Sequence, residues 1–430
     1  MRNAPSQTRA ERKPVTDRFS PFVVLCLSLG YFGTAHSQHG LTEQDVLARV
    51  LKRAEITAVL ARPLEASRAE LRAARLWPNP SLELSVQDVE RAAGDAREDS
   101  FWLRQEFDVS GGRGLKIRAA QARVSAGEAD SAWRRRELIA EVRARFFRVL
   151  ARQSRVETTR RWLAQLEEAG GVVAAREQAG ESSGYERLRL ARERDRARAI
   201  IQTEQAEREG AWQQLVALIG SEESDSATDS SASQVVGHLL PDVLRPLGGV
   251  LANLSDRPDL QALAREVEAS EHELAAAERA WVPALELGVG RIEIDDSDGD
   301  DTGILLNARI GLPFSDRGQA AKARLRARLG GARAEYSLAV DQARSDITAA
   351  HVRARRLTEA AREMAGVGSQ DSTQLLRVGR AAYRGGELSL LELLDVYETV
   401  YGYELRVLEL QAQARAAQIE LDRLKPEESL

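Results

Sequence analysis

One cysteine in 430 residues, Cys26, leaves no partner for a disulfide and no thiolate pair for redox or metal chemistry. Aromatic side chains make up only 5% of the chain, whereas Ala, Leu, Arg and Glu abound, a composition for long helices rather than a thick globular core. After residue 37 no run of about 18 apolar residues occurs, so any membrane crossing has to be made by strands. An excess of positive charge is absent too: 61 basic against 66 acidic residues give a net charge of −5. The arginines alternate with Glu and Asp as on a solvated helix, which argues against nucleic acid as a partner. His36, His39, His238, His272 and His351 are scattered without metal-ligand spacing. Gly111-Gly112-Arg113-Gly114 lacks the Lys-Ser/Thr of a phosphate loop, and no nucleophile stands in a pattern with a base. Neither catalysis nor a cofactor is expected.

The first 37 residues read as an export signal. Arg2, Arg9, Arg12, Lys13 and Arg18 precede an apolar run from Phe19 to Phe32, and Ala35-His36-Ser37 offers small residues at a cleavage site. Val23-Val24-Leu25 before Cys26 lacks the small residues of a lipoprotein site, so a mature, cysteine-free, non-lipidated chain starting near Gln38 is expected. The leader carries five basic and two acidic side chains, and its loss takes the net charge from −5 to −8.

Two stretches then alternate with period two. Leu82, Leu84 and Val86 alternate with Ser81, Glu83 and Ser85. After a polar loop, Asp88 to Ser100, Phe101, Leu103, Gln105, Phe107 and Val109 alternate with Trp102, Arg104, Glu106 and Asp108, so the hairpin strands are expected over about 81–109. Farther on, Leu285, Leu287 and Val289 alternate with Glu286, Gly288 and Gly290. An acidic loop, Asp295 to Asp301, follows, and then Ile304, Leu306, Ala308, Ile310 and Leu312 alternate with Leu305, Asn307, Arg309 and Gly311, so these strands are expected over about 284–312. Each stretch predicts a β-hairpin with one apolar face and strands of about 9–11 residues, long enough to cross a bilayer. The acidic loop is not an EF-hand: its glycine is misplaced, and Asn307 stands where a bidentate Glu belongs.

Around the hairpins the sequence is helical: Thr42–Leu76 interrupted at Pro63, Leu115 to about Gly180, Tyr185–Ile219, Asp259–Arg279, Gln319–Arg380 and Leu388–Leu424. Trp77-Pro78-Asn79-Pro80 before the first hairpin is echoed by Trp281-Val282-Pro283, and Ser110-Gly111-Gly112-Arg113 after it by Ser315-Asp316-Arg317-Gly318. The turn at Gly180–Gly184 is echoed at Gly385-Gly386. The same landmarks in the same order make an internal duplication: a first repeat over 38–220, a linker or equatorial segment over 221–256 with a polar stretch at 221–234, a second repeat over 257–424, and a short tail over 425–430.

Two hairpins give four strands, too few to close a barrel, and open edges are not tolerated in lipid. Three chains would supply twelve. The expected fold is mainly α with membrane β: a duplicated helix–hairpin–long helical hairpin. Its homotrimer forms a twelve-stranded barrel continued by a helical barrel, with Ala320, Ala323, Ala327, Ala334 and Ala343 allowing close helix packing in a thin wall. The strand residues assigned to face lipid are Leu82, Leu84, Val86, Leu285, Leu287, Val289, Leu306 and Ile310. A periplasmic adaptor or a structural coiled-coil protein of the envelope is the alternative. An adaptor, however, would have one helical hairpin and small β-domains, and a coiled coil would lack the alternating strands.

The duplicated plan, the Trp-x-Pro strand starts, the Ser-Gly-Gly-Arg and Ser-Asp-Arg strand exits, and the run Tyr383-Arg384-Gly385-Gly386-Glu387-Leu388-Ser389-Leu390-Leu391-Glu392-Leu393-Leu394-Asp395 resemble the TolC family of outer-membrane efflux proteins. The Ser-Gly-Gly-Arg exit is most similar to the CzcC/CusC-type members that serve heavy-metal pumps. The resemblance implies a trimer in outer-membrane lipid, docked to a periplasmic adaptor and an inner-membrane RND-type pump, with metal cations as the preferred cargo. It further implies that the helix tips meet the adaptor, at Gly180, Ser183, Gly184, Gly385, Gly386, Leu388, Ser389 and Leu390. Glu392 and Asp395, with Glu186 in the first repeat, match the acidic pore constriction. The chain departs from the pattern at Leu388, where the family's namesake has an arginine that helps hold the tip shut, so a polar latch of that kind is not expected.

Overall fold

The computed structural model describes residues 40–426 apart from 92–93, 182, 221–233, 243, 245 and 297–298. The leader at 1–37 and most of the polar linker lie outside the described residues.

The chain runs α1 (Glu43–Lys52), α2 (Ala54–Arg75), β1 (Ser81–Arg91), β2 (Gly94–Phe107), α3 (Gly112–Gln178) and α4 (Gly184–Ile219). After α5 (Leu247–Leu251) and a 3-10 turn at Leu254–Asp256 come α6 (Pro258–Glu278), β3 (Leu285–Asp296), β4 (Gly299–Ile310), α7 (Gln319–Arg384) and α8 (Leu390–Leu424). The long helices α3 and α7, of 67 and 66 residues, are the matching members of the two repeats. At ~1.5 Å per residue each spans roughly 100 Å. Both start from a left-handed glycine, Gly111 at φ 70° and Gly318 at φ 76°, where the strand exit turns into the helix. No helix among the described residues is long and apolar enough to cross a membrane.

The four strands form one antiparallel sheet in the order β1-β2-β3-β4, the two hairpins joining through β2 and β3. Register puts Leu82, Leu103, Val289 and Leu306 in one row, and Phe107, Leu285 and Ile310 in another. Leu84, Val86 and Leu287 share that face by the period of two. The opposite face carries Glu83, Trp102, Arg104, Glu286, Asn307 and Arg309. Gly290 is needed there: a Cβ would come within 2.8 Å of the Phe101 carbonyl and closer still to the Trp102 indole. The strands run farther than their apolar residues. Asp88 pairs with Arg97 in register and Asp295 with Asp300, so the stretches 88–100 and 295–301, expected to be loops, are mostly strand. Ladder bonds are made by backbone, so polar side chains end the apolar band without ending the strands.

A second correction falls in the first helix. Pro63 does not interrupt it; the break is at Arg53, which is extended (φ −64°, ψ 132°). Arg53 leaves the helix because its guanidinium donates to the carbonyls of Ala217 and Leu218, 3.0 and 2.9 Å away, capping the last turn of α4. Pro63 stays helical where α2 lies close against α3: a Cβ on Gly127 would come within 3.2 Å of the Pro63 carbonyl.

The spine is α3, with α2 and α6 packed on its N-terminal half and α4 and α8 on its C-terminal half. Midway, Val46, Val142, Phe146, Leu150, Trp212 and Leu215 form one core. Residues 234–241, expected to be linker, bind that core. Val235 bridges to Leu41, and Arg415 donates to the carbonyls of His238, Leu239 and Leu240 at 2.7, 3.1 and 2.8 Å. A second core joins α5, α6, α7 and α8 through Leu260, Ile347 and Leu421.

Candidate functional site: paired helix turns

At the end of the long helices opposite the sheet, α3 turns into α4 and α7 into α8. Both turns close in the same way. Gly180 and Gly386 adopt φ 76° and 77°, and their amides donate to Glu177 and Tyr383. The next amides, of Glu181 and Glu387, reach back to the carbonyls of Arg176 and Ala382, 2.9 Å in each case. This is the Schellman arrangement, whose left-handed position favours glycine. Both return helices then begin with Ser-x-x-Glu: Ser183 to Glu186, and Ser389 to Glu392.

From there the two differ. Ser389 and Glu392 form a capping box: the Glu392 amide donates to Ser389 Oγ at 3.3 Å, and Glu392 Oε2 accepts from the Ser389 amide and hydroxyl at 2.7 and 2.8 Å. Those bonds, the backbone amide first and the hydroxyl second, hold the Glu392 carboxyl below the usual glutamate range. Ser183 makes no such side-chain bond, and Glu186 turns instead to the hydroxyl of Tyr383 on α7, 3.5 Å away. Burial first, and the Glu186 carboxylate second, push the Tyr383 phenol up. Arg176 of α3 lies over the Tyr383 ring at 5.1 Å and donates to its carbonyl at 3.2 Å. Glu168 receives both Arg380 and Arg384 of α7, at 3.0 and 2.8 Å. The two turns are therefore tied by a polar set that does not involve position 388.

Beneath these contacts Trp162, Leu166, Val173, Leu190, Tyr383, Leu390, Leu393 and Tyr397 are buried together. The Trp162 and Tyr401 rings stack at 4.4 Å. Of the residues assigned to adaptor contact, Gly180, Ser183, Gly184, Gly385, Gly386 and Ser389 are exposed, Leu388 is half-buried, and Leu390 is inside this core. A buried Leu390 side chain cannot present itself outward, which corrects its assignment. Tyr185 (74%), Leu188 (60%) and Leu391 (66%) are exposed apolar residues here, and Tyr185 and Leu391 hold the same position of the two Ser-x-x-Glu segments. Both lie within the turns 180–187 and 385–391 that the sequence marks as the tips, although neither is singled out there. Glu392 and Asp395, one turn apart and exposed, line a shallow groove with Arg189, Glu193 and Glu398, floored by Trp162 and Leu166. Glu186 is outside that groove, so the structure does not gather the three carboxylates assigned to a constriction within one protomer. Among the described residues no group of three or more His, Cys, Asp or Glu is placed to hold a metal.

Compared with known proteins, residues 48–221 match the family described as outer membrane efflux protein. The cobalt-zinc-cadmium resistance protein CzcC of Cupriavidus metallidurans is 23% identical over 369 residues, 85% of each chain. Outer membrane protein OprJ of Pseudomonas aeruginosa is 25% identical over 84% of this chain and 78% of its own. Among solved structures, CusC superposes with a TM-score of 0.69 at 17% identity, covering 90% of this chain and 92% of its own. The family match covers the first repeat, the relatives span both, and the chain is similar to outer membrane efflux proteins, heavy-metal resistance members among them.

Proposed function

We propose that three copies of the chain join their sheets into a twelve-stranded barrel in the outer membrane. The long helices continue it into the periplasm, and the product is a passive exit duct for metal cations. The observation that carries this reading is the sheet. Leu82, Leu84, Val86, Val289, Leu306 and Ile310 are each half or more exposed on one face, while β1 and β4 are edges without a partner. Apolar faces seek lipid and open edges seek strands, and a closed barrel in a bilayer satisfies both. The turns at Gly180 and Gly386 meet a periplasmic adaptor, which couples the duct to an inner-membrane RND-type pump. Tyr185 and Leu391 supply apolar contact there. Glu392 and Asp395 stand on one helix face, and threefold symmetry repeats them around the axis as rings that favour cations. The duct itself catalyses nothing. Metal cations are favoured as cargo by the likeness to CzcC and CusC.

Fractionation tests the barrel. The protein is expected in the outer membrane, extractable only with detergent, and to run as a heat-dissociable oligomer with the mass of three chains. Protein soluble without detergent and monomeric would overturn it.

A further inference from the structure

The polar face of the sheet carries a line of alternating charge. Arg104 of β2 pairs with Glu83 of β1 on one side and lies 3.8 Å from Glu286 of β3 on the other, and Glu286 lies 3.3 Å from Arg309 of β4. The inner members are covered, with the Arg104 side chain 12% exposed and stacked over Trp102. The outer two are not: the Glu83 side chain is 52% exposed and that of Arg309 61%. They stand on the two edge strands, are opposite in sign, and lie near the ends of those strands that adjoin the helices. Choice is narrow at both edges. Arg309 is the one basic residue of β4, and Glu83 is the one carboxylate among Ser81, Glu83, Ser85 and Gln87, the described β1 side chains on its face.

Resting on the three-chain barrel proposed above, we infer that Arg309 of each copy pairs with Glu83 of the next across the β4–β1 seam. The start of β1 meets the end of β4 in an antiparallel seam, so the two residues fall at one level. Long side chains also reach diagonal cross-strand neighbours, which tolerates the stagger that a barrel needs to close. The line then becomes a continuous belt around the lumen, with two carboxylates and two guanidiniums from each copy. Such a belt is neutral. It fixes the register of closure through an opposite-sign contact between these edges and leaves ion selectivity to the helical end.

Thiol crosslinking of the full-length protein tests it, with Cys26→Ser removing the native thiol. A Glu83→Cys/Arg309→Cys chain treated with a short bis-maleimide is expected to give a ladder ending at three chains. The control, Glu83→Cys/Asp301→Cys, moves the second thiol to the far end of β4 and is expected to stay one chain. A ladder from the control alone, or from neither pair while the untreated oligomer persists, would overturn the belt and leave the barrel standing. Absence of any oligomer in the parent protein would fail the barrel itself. As a second readout, Arg309→Ala is expected to lower the temperature at which the oligomer dissociates and Arg309→Lys to restore it. Equal temperatures in all three would overturn the pairing.

Discussion

The two helix turns share a fold and differ in their anchoring. Each has the same left-handed glycine, the same back-bonded amides and the same Ser-x-x-Glu start. Yet the α7–α8 turn sends Leu390, Leu393 and Leu394 into the tip core, with exposures of 3%, 1% and 7%, and closes with a capping box. The α3–α4 turn has Gly184, Arg187 and Leu188 in those places, all exposed, and its serine caps nothing with its side chain. Its own attachment is lateral, through Glu186 to Tyr383 of the other repeat. A duplicated hairpin has thus become one fixed turn and one that leans on it. Of the two, the α3–α4 turn is the one whose attachment can be released without breaking a core.

That contrast can be broken at several points. Leu393→Ala opens a cavity among buried side chains and is expected to cost ~2–5 kcal/mol, whereas Leu188→Ala, on an exposed site, stays within ~0.5 kcal/mol. Amide hydrogen exchange of the turn peptides in the intact oligomer reads both, as opening of residues 376–400 in the first case and little change in the second. Gly180→Ala and Gly386→Ala force a Cβ into a left-handed conformation at ~1–2 kcal/mol each. Both should speed exchange in their own turns. Ser389→Ala removes a cap worth ~1 kcal/mol, and Ser183→Ala should fall below ~0.5 kcal/mol. Equal effects from the two serines would remove the asymmetry.

The smallest effect is set by pH. The Glu392 carboxyl titrates lower in the folded chain than in the unfolded one, so its capping contribution is fully present above the usual glutamate range, near ~4.3. It is lost as pH falls through the lowered folded value. Exchange in the α8 start should therefore accelerate on acidification through that range, and Glu392→Ala should abolish this component.

Much of the fold was legible because it is written in periods. Alternation around Leu82 and Leu285 gave the strands, and the ordered echoes of Trp-x-Pro, Ser-Gly-Gly-Arg and the double glycine gave the duplication. The misread places were set by contacts distant in sequence. Arg53 leaves its helix to cap α4, more than 160 residues away. Polar residues stay in strand because a neighbouring strand needs their backbone. Leu390 reads as a turn residue until Trp162 and Leu166 are packed on it. At the tip, Glu392 and Asp395 were placed on one face by their spacing, but the link from Glu186 to Tyr383 crosses from one repeat to the other, and no local pattern carries it.

The most direct test is single-channel conductance of the purified protein in planar bilayers, comparing wild type with Asp395→Asn and with Glu392→Ala/Asp395→Asn. The expected result is discrete, cation-selective steps whose selectivity falls in the single variant and falls further in the double. Steps of unchanged selectivity would contradict the acidic constriction while leaving the duct intact. Detergent-purified protein that gives no steps at all would contradict the duct.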